Sequence, residues 1–448
     1  MAEAEWLAHY VATDGAGNLV NSIGDLVRSG RLEAGARLPT VRALGARMGV
    51  SPATVAAAWS QLRRQGLIET RRRGGTVVVY DASAPDASWQ GLGTGQSLDL
   101  AQGLVDRALL PELGTAFQAA LGNRHVHGAA KDHCIAPLQE AAAPTWPFRP
   151  QAWSTAGSGT EGALLAVAAA VRRAGQPRVA IESPTSPRLL DLCRTLGLSL
   201  LPVDCDDAGP LPESLREALA RDPAAFIYQP RAQIPLGHSV PQERVRALAD
   251  ELARAPRTVA VEDDFFGPLA RDGVHSIGAY LPERVLFVRT YCNAYGIDLR
   301  TCILAGAALL VDTVRELRSH GAAMNSRILQ GALAHLLTDP DTEAWIEAAR
   351  ERYASRRVAL VEALRGEGFA VRNRDGLGIW LPVEKEEQAI VNLAEHGISA
   401  GGGSRCFPAG PAGSHLRLST GRLPDNPGHI VEIAQAFAAA AGHPRPAR

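Results

Sequence analysis

The chain has 448 residues, 46% of them hydrophobic, and a net charge of −1. That length implies two to three domains with ample material for a core. No apolar run reaches membrane-spanning length, and six scattered cysteines without a CxxC pair exclude a disulfide framework and a cysteine zinc site.

The first residues, MAEAEWLAHYVATDG, lack the basic-then-apolar order of a secretion signal, so a cytoplasmic location with reduced thiols is expected. Charge is uneven along the chain. Residues 21–80 carry ten arginines against Asp25, Glu33 and Glu69, a net +7, which leaves −8 on the remainder. A small basic segment on an acidic body points to a nucleic-acid module joined to something else, although a solvated basic face is the bland alternative. Lysine is rare: Lys131 and Lys385 are the whole supply.

In chain order, Ile23, Leu26 and Val27 have helical spacing and Ser29-Gly30 can stop the helix. Pro39-Thr40 opens a second helix with Val41, Leu44 and Met48 as its inner stripe and Gly49 at its end. Ser51 suits an N-cap and Pro52 a first helical position, starting a third helix with Val55, Trp59 and Leu62 on one face and Gly66 at its end. Leu67-Ile68 and Thr76 to Val79 flank Arg71-Arg72-Arg73-Gly74-Gly75 and predict a two-stranded wing. A helix-turn-helix presents the start of its last helix to the major groove. Ser51 and Thr54 in that first turn, Arg42 on the preceding helix, Gln61 farther along, and Arg71, Arg72, Arg73 and Gly75 in the wing are therefore the candidate DNA contacts. Ala53, Ala56 and Ala57 leave the recognition helix poor in base-reading side chains. The run LPTVRALGARMGVSPATVAAAWSQLRRQGLIETRRRGGTVVV resembles the GntR family of winged helix-turn-helix regulators over about 60 residues, roughly one small domain.

Residues 81–96, DASAPDASWQGLGTGQ, have no periodicity and are read as a linker after a head of residues 1–80. From 97 to 445 short apolar runs alternate with helical patterns. Ala163–Arg173 and Pro187–Leu196 read as helices; Val179–Ile181, Leu198–Val203, Ala225–Tyr228, Val259–Val261 and Val285–Arg289 read as strands. The alternation predicts an α/β body with a mostly parallel sheet. After about residue 345 a long helix and two strand-like pieces, VRNRDGLGIWLPV and HLRLSTGRL, predict a smaller α+β lobe.

Six segments of the body resemble, in order, landmarks of fold-type I aminotransferases: AGSGTEGALL, ESPTSP, QPRAQIPLG, EDDFF, NAYGIDLR and HLRLS. A GntR head on such a body resembles the MocR subfamily. The resemblance implies a pyridoxal-phosphate (PLP) pocket, residue by residue. Asp263 matches the aspartate that holds the pyridinium nitrogen, though alone it reads equally as a helix cap. Arg300 matches the phosphate-binding arginine, Ser158 and Thr160 the helix-opening turn beneath the phosphate, and Arg417 the arginine that grips a substrate carboxylate. Four positions depart. Asn293 stands where the PLP lysine belongs, Ile234 where an asparagine reaches the phenolic oxygen, Phe265 where a tyrosine or histidine does, and Ser186 where an aromatic ring stacks.

An amide cannot condense with an aldehyde, so no covalent PLP is expected. Arg300 and a helix N-terminus still favour an anion, either PLP held without a covalent bond or another carboxylate or phosphate. His127, His133 and Cys292 are the substitute bases or nucleophiles to consider, but a lone cysteine beside a strand is usually inert core. The resemblance implies a homodimer, the head of one subunit against the body of the other, on a double-stranded DNA operator. The expected function is a MocR-type transcriptional regulator whose degenerate body dimerises and senses an effector. The alternative is a repurposed enzyme working without PLP or with PLP held non-covalently.

Overall fold

A computed structural model describes residues 16–28, 31–64, 67–71, 75–79, 92, 97–122, 126, 128, 131–319, 321–410 and 412–441. Ser29, Gly30, Gly66, Arg72, Arg73, Gly74, His127 and all of the expected linker except Leu92 lie outside the described residues.

The head has three helices, α1 (Ala16–Arg28), α2 (Val41–Met48) and α3 (Pro52–Arg64), and three strands, β1 (Arg37–Leu38), β2 (Ile68–Arg71) and β3 (Gly75–Val78). The strands form an antiparallel sheet in the order β1-β3-β2, with Arg71 opposite Gly75 at the wing tip. The turn between α2 and α3 follows from its residues. Thr40 caps α2 by accepting from the Ala43 N–H at 3.2 Å. Gly49 ends it at φ 69°, a left-handed conformation that favours glycine. Ser51 Oγ then accepts from the Thr54 N–H at 3.1 Å and caps α3. Ile23, Leu44, Val55, Trp59 and Leu62 make the buried centre of this domain.

The large lobe is built on an eight-stranded sheet whose strands are β5 (Ala152–Ala156), β6 (Arg178–Ser183), β7 (Ser199–Asp206), β8 (Gly209–Pro210), β9 (Ala225–Tyr228), β10 (Val259–Asp264), β11 (Val285–Thr290) and β12 (Cys302–Gly306), following β4 (Leu98–Leu100) in the chain. The order is β5-β12-β11-β10-β9-β6-β7-β8. The five strands from β7 to β11 pair in parallel, and β12 runs antiparallel to both neighbours. Side chains alternate between two cores: Phe226, Tyr228 and Phe287 face one, Ile227, Leu286 and Val288 the other. Burial on both faces explains why these strands read as unbroken apolar runs. Two helices matter for the pocket, α4 (Gly159–Ala174) after β5 and α5 (Pro187–Thr195) after β6.

A long helix, α6 (Pro340–Gly366), leads into the small lobe. The lobe contains α7 (Glu386–Glu395) and the strands β13 (Gly378–Pro382), β14 (Ile398–Gly402) and β15 (His415–Ser419). Its sheet has the order β13-β15-β14-β4. A lobe that begins near 345 therefore omits one strand: Leu98–Leu100 pairs in parallel with Ile398–Ala400, and the chain enters the body through the small lobe. Three residues are too few for a periodic signal, which hid them in the sequence. Among the described residues, no helix is long and apolar enough to cross a membrane.

Candidate functional site

On the head, Arg42 and Ser51 are exposed and Thr54 is half-buried, its hydroxyl 2.8 Å from that of Ser51. Arg71 is exposed and 3.8 Å from Glu69; Gly75, at φ 74°, turns the wing. Gln61 is a correction. It is 2% exposed, and its Nε2 donates to the Ile390 carbonyl of α7 at 3.5 Å. Position 61 falls on the inner face of α3, one helical turn past Ala58 and beside Leu62, and here it meets the small lobe. Arg63, which the motif reading passed over, is exposed and donates to Thr70 Oγ1 of the wing at 3.0 Å. Its single position among ten clustered arginines gave no signal; only the packing of β2 against α3 singles it out.

The body's candidate pocket lies at the carboxyl ends of β10 and β11, where open α/β sheets hold their ligands. Asp263, the last residue but one of β10, has 0% exposure and is ion-paired with Arg188 Nη2, from the first turn of α5. Burial pushes the Asp263 carboxyl above its ordinary range, and Arg188 pulls it partway back. The Arg188 guanidinium also lies over the Phe265 ring, 4.5 Å from its centroid. Asn293, one turn beyond β11, donates from Nδ2 to the Phe265 carbonyl at 2.8 Å. Asp263, Phe265 and Asn293 are thus brought together, with Arg188 between the first two.

Ser186, just ahead of α5, is buried, and its side chain makes no cap bond to that helix. Ile234 is half-buried, its carbonyl accepting from Gln229 Nε2 at 3.2 Å. Neighbouring Asp264 is fully buried and serves the scaffold. Burial alone would raise its carboxyl, but Arg231 and Arg289 outweigh that and hold it at about 2.

The expected anion cup at the start of α4 is arranged differently from its motif. Ser158 Oγ caps the helix by accepting from the Glu161 N–H at 3.1 Å, and Thr160 is exposed. Glu161 turns back, accepting from the Gly157 N–H at 2.8 Å and approaching Arg318 at 3.5 Å. This resembles a capping box, with the acid at its usual third helical position but bound to the N–H one residue before the cap. Gly159 is required by close approach, since a Cβ there would overlap Thr290 Oγ1. That hydroxyl is buried without a hydrogen-bond partner among the described residues. Arg300 adopts a left-handed conformation (φ 43°), uncommon for a side-chain-bearing residue, and Asn325 Nδ2 binds its carbonyl at 3.0 Å. Arg417, on β15, donates to the Ala101 carbonyl at 2.6 Å, so part of its fork is already engaged.

Burial pushes the Cys292 thiol above its ordinary value, and its sulfur is 3.9 Å from the Thr301 carbonyl. Burial, followed by Arg315, lowers the His133 imidazole. Lys131 and Lys385 are exposed on other elements.

A three-helix head with a wing, joined to a fold-type I body with a small lobe, defines a regulator built on an aminotransferase scaffold. Residues 16–78 match the family of bacterial regulatory proteins, gntR family, and residues 89–426 match aminotransferase class I and II. The chain is 32% identical to the vitamin B6 salvage pathway transcriptional repressor PtsJ of Salmonella typhimurium over 414 residues, 90% of this chain and 95% of that one. It is 26% identical to the HTH-type pyridoxine biosynthesis transcriptional regulator PdxR of Corynebacterium glutamicum over 402 residues, 85% of this chain and 86% of that one. In fold it resembles a Thermus thermophilus aspartate aminotransferase double mutant, with a TM-score of 0.68 and 22% identity over 86% of this chain and 96% of that one. The chain belongs to the MocR-type GntR regulators, in which a GntR head is fused to a class I and II aminotransferase domain.

Proposed function

We propose that this transcriptional regulator binds its operator as a homodimer, and that its body has given up PLP chemistry and acts as a sensor. One observation carries the reading. The side chain at the anchoring position is an amide, and its Nδ2 is tied to the Phe265 carbonyl. No amine stands there to hold an aldehyde. We read the residues present as a poor fit to PLP: Arg188 covers Asp263, and Ser186 offers no ring to stack on. The two relatives' names link them to vitamin B6; we do not extend a pyridoxal effector to this chain. Arg417 favours an effector with a carboxylate, whereas Glu161 already brings a carboxylate to the mouth beside Arg300. Among the described residues the enzyme alternative gains little support: Asp263 and Asp264 are each ion-paired with arginine and the Cys292 thiol is pushed up.

A packed route supports sensing. The Thr185 N–H, beside Ser186, donates to the Cys406 carbonyl at 2.8 Å. Ser404 donates from N and Oγ to Glu386 at 2.8 and 2.6 Å. Glu386 opens α7, whose Ile390 carbonyl accepts from Gln61 of α3. A ligand that shifts the Thr185–Arg188 segment can therefore bias the seat of the head, a population shift between two head positions. Ile297, Trp345 and Leu121 are large hydrophobics left exposed in the single chain, which is compatible with a partner subunit. A regulator that acts on DNA would carry out this role in the cytoplasm.

Two measurements test this reading. Gel shifts with the chain's own upstream region are expected to show binding that falls steeply with salt and is weakened by Arg42→Ala. Binding to no fragment of that region would remove the DNA role. Incubation with PLP followed by borohydride and mass spectrometry is expected to leave the polypeptide mass unchanged. A fixed pyridoxyl adduct would remove the lost-cofactor reading.

A further inference from the structure

An aspartate near the end of β10 with 0% exposure needs a cation, because an isolated buried carboxylate is strongly disfavoured. In a PLP enzyme the protonated ring nitrogen provides it. Here the chain provides its own. Arg188 Nη2 pairs with Asp263 Oδ2, and the flat guanidinium lies on the face of Phe265. A guanidinium resembles a pyridinium in the relevant respects: it is planar, its charge is delocalised, and it lies comfortably on aromatic faces. The other end of the pocket shows the same pattern with the opposite sign. Beside the N-terminus of α4, where a phosphate would sit, Glu161 holds a carboxylate on the Gly157 N–H, with Arg318 behind it. A Cβ built on Gly157 would lie 2.8 Å from Glu161 Oε2 and 3.9 Å from Arg300 Nη2, so acid and arginine both flank that mouth.

We propose that Arg188 is a built-in substitute for the cofactor's pyridinium and is the residue that excludes ring-bearing B6 phosphates from this body, with Glu161 answering for the phosphate. The inference rests on the reading above that Asn293 leaves no covalent anchor, and it adds a second, independent barrier. A pyridoxal-type ligand would have to displace Arg188 from Asp263 and Phe265 and bring a phosphate against the Glu161 carboxylate. Like charges at that distance repel. Arg188 thus supplies the charge that Asp263 Oδ2 needs, while Asp263 Oδ1 stays without a partner among the described residues.

The test uses pyridoxamine 5′-phosphate, which needs no lysine, and the full-length protein. Titration followed by tryptophan fluorescence and calorimetry is expected to show weak or no binding to the wild type. Arg188→Ala is expected to bind at least about tenfold more tightly and to gain melting temperature with the ligand, as a tenfold step in affinity requires. Arg188→Lys, which keeps a cation, is expected to stay as weak as the wild type. Equal affinity for the wild type and Arg188→Ala, or tight binding by Arg188→Lys, would overturn the proposal. Should Arg188→Ala not fold, a crystal structure of the wild type grown with the ligand decides. A ring seated on Asp263 with Arg188 swung away overturns the proposal; Arg188 in place with no ring there upholds it. Because pyridoxamine 5′-phosphate has no aldehyde to condense with an amine, these outcomes are separate from the borohydride test, which alone bears on Asn293.

Discussion

The head and the body's pocket have treated their ancestral patterns in opposite ways. In the head, the N-cap at Thr40, the left-handed Gly49, the Ser51 cap and the Leu44–Val55–Leu62 core all support the same turn between α2 and α3. Local preference and tertiary packing agree, which is the condition for a small domain to fold reliably. In the pocket, the motifs stand in their expected order, but the charges have been rewritten. Arg188 sits on Asp263, Glu161 turns back at the start of α4, and Asn293 ties itself to main chain. Motif order therefore reports the scaffold, while the chemistry of a site depends on which groups satisfy one another.

Breaking the buried charge pair gives the largest expected effect. Asp263→Ala leaves Arg188 among apolar groups without its carboxylate, and losing one member of a buried pair costs about 3–5 kcal/mol. Arg188 retains some solvent contact, which places this case at the low end. Denaturant melts of the body are the measurement; a loss below about 1 kcal/mol, the size of an exposed pair, would show that the pair adds little. Leu62→Ala is the matching test in the head. Leu62 is fully buried, and such truncations cost about 2–5 kcal/mol. A domain of this size has little margin, so operator binding is expected to vanish at a temperature where the body still gives its own melting transition. Loss of both together would show that head and body unfold as one unit.

The same contrast explains what the sequence made legible. The head could be read almost residue by residue, because caps, glycines and a 3.6-residue period are local signals. The five parallel strands were legible as apolar runs, whereas β4 and β8, of three and two residues, are too short to show a pattern, and β5 and β12 were not picked out. In the pocket, the motif positions were recognisable but their partners were not. Arg188 lies 75 residues from Asp263 in the chain, and nothing in ESPTSPR indicates which carboxylate it will meet. Glu161 was within view, since S-x-x-E at residues 158–161 is a capping pattern, and it marks that helix end as already carrying an acid.

A third prediction concerns pH. Burial pushes the Glu182 carboxyl from an ordinary 4.5 up to about 8, with hydrogen bonds from Gln229 and Thr185 opposing it. The folded protein therefore keeps a proton that the unfolded chain releases. The associated stability is fully present below about 4.5 and is lost as pH rises through about 8. Glu182→Gln removes that titration while leaving an acceptor oxygen for Gln229 and Thr185. Relative to the wild type, its stability is expected to climb by a few kcal/mol between these limits, as linkage for such a shift requires. A difference that stays flat across that range would mean that Glu182 is already ionised in the fold.

The smallest expected effect bears on how the two regions meet. Gln61 lies on the recognition helix, and a reading of the helix alone would count it among the base contacts. Its side chain instead points into the small lobe, 2% exposed, with a 3.5 Å bond to the Ile390 carbonyl. Long bonds of this kind contribute little, so Gln61→Ala is expected to cost about 0.5–1.5 kcal/mol. Operator discrimination should stay unchanged, since a residue turned away from the groove reads no base. Competition between the operator and single-base variants of it is the deciding measurement. If Gln61→Ala relaxes discrimination at one base pair, by the roughly 1–3 kcal/mol expected of a direct contact, then α3 must turn away from α7 to bind DNA. The head–lobe contact would then be a resting state that the operator opens. If discrimination holds and only the ligand response weakens, Gln61 is the point where the body takes hold of the head.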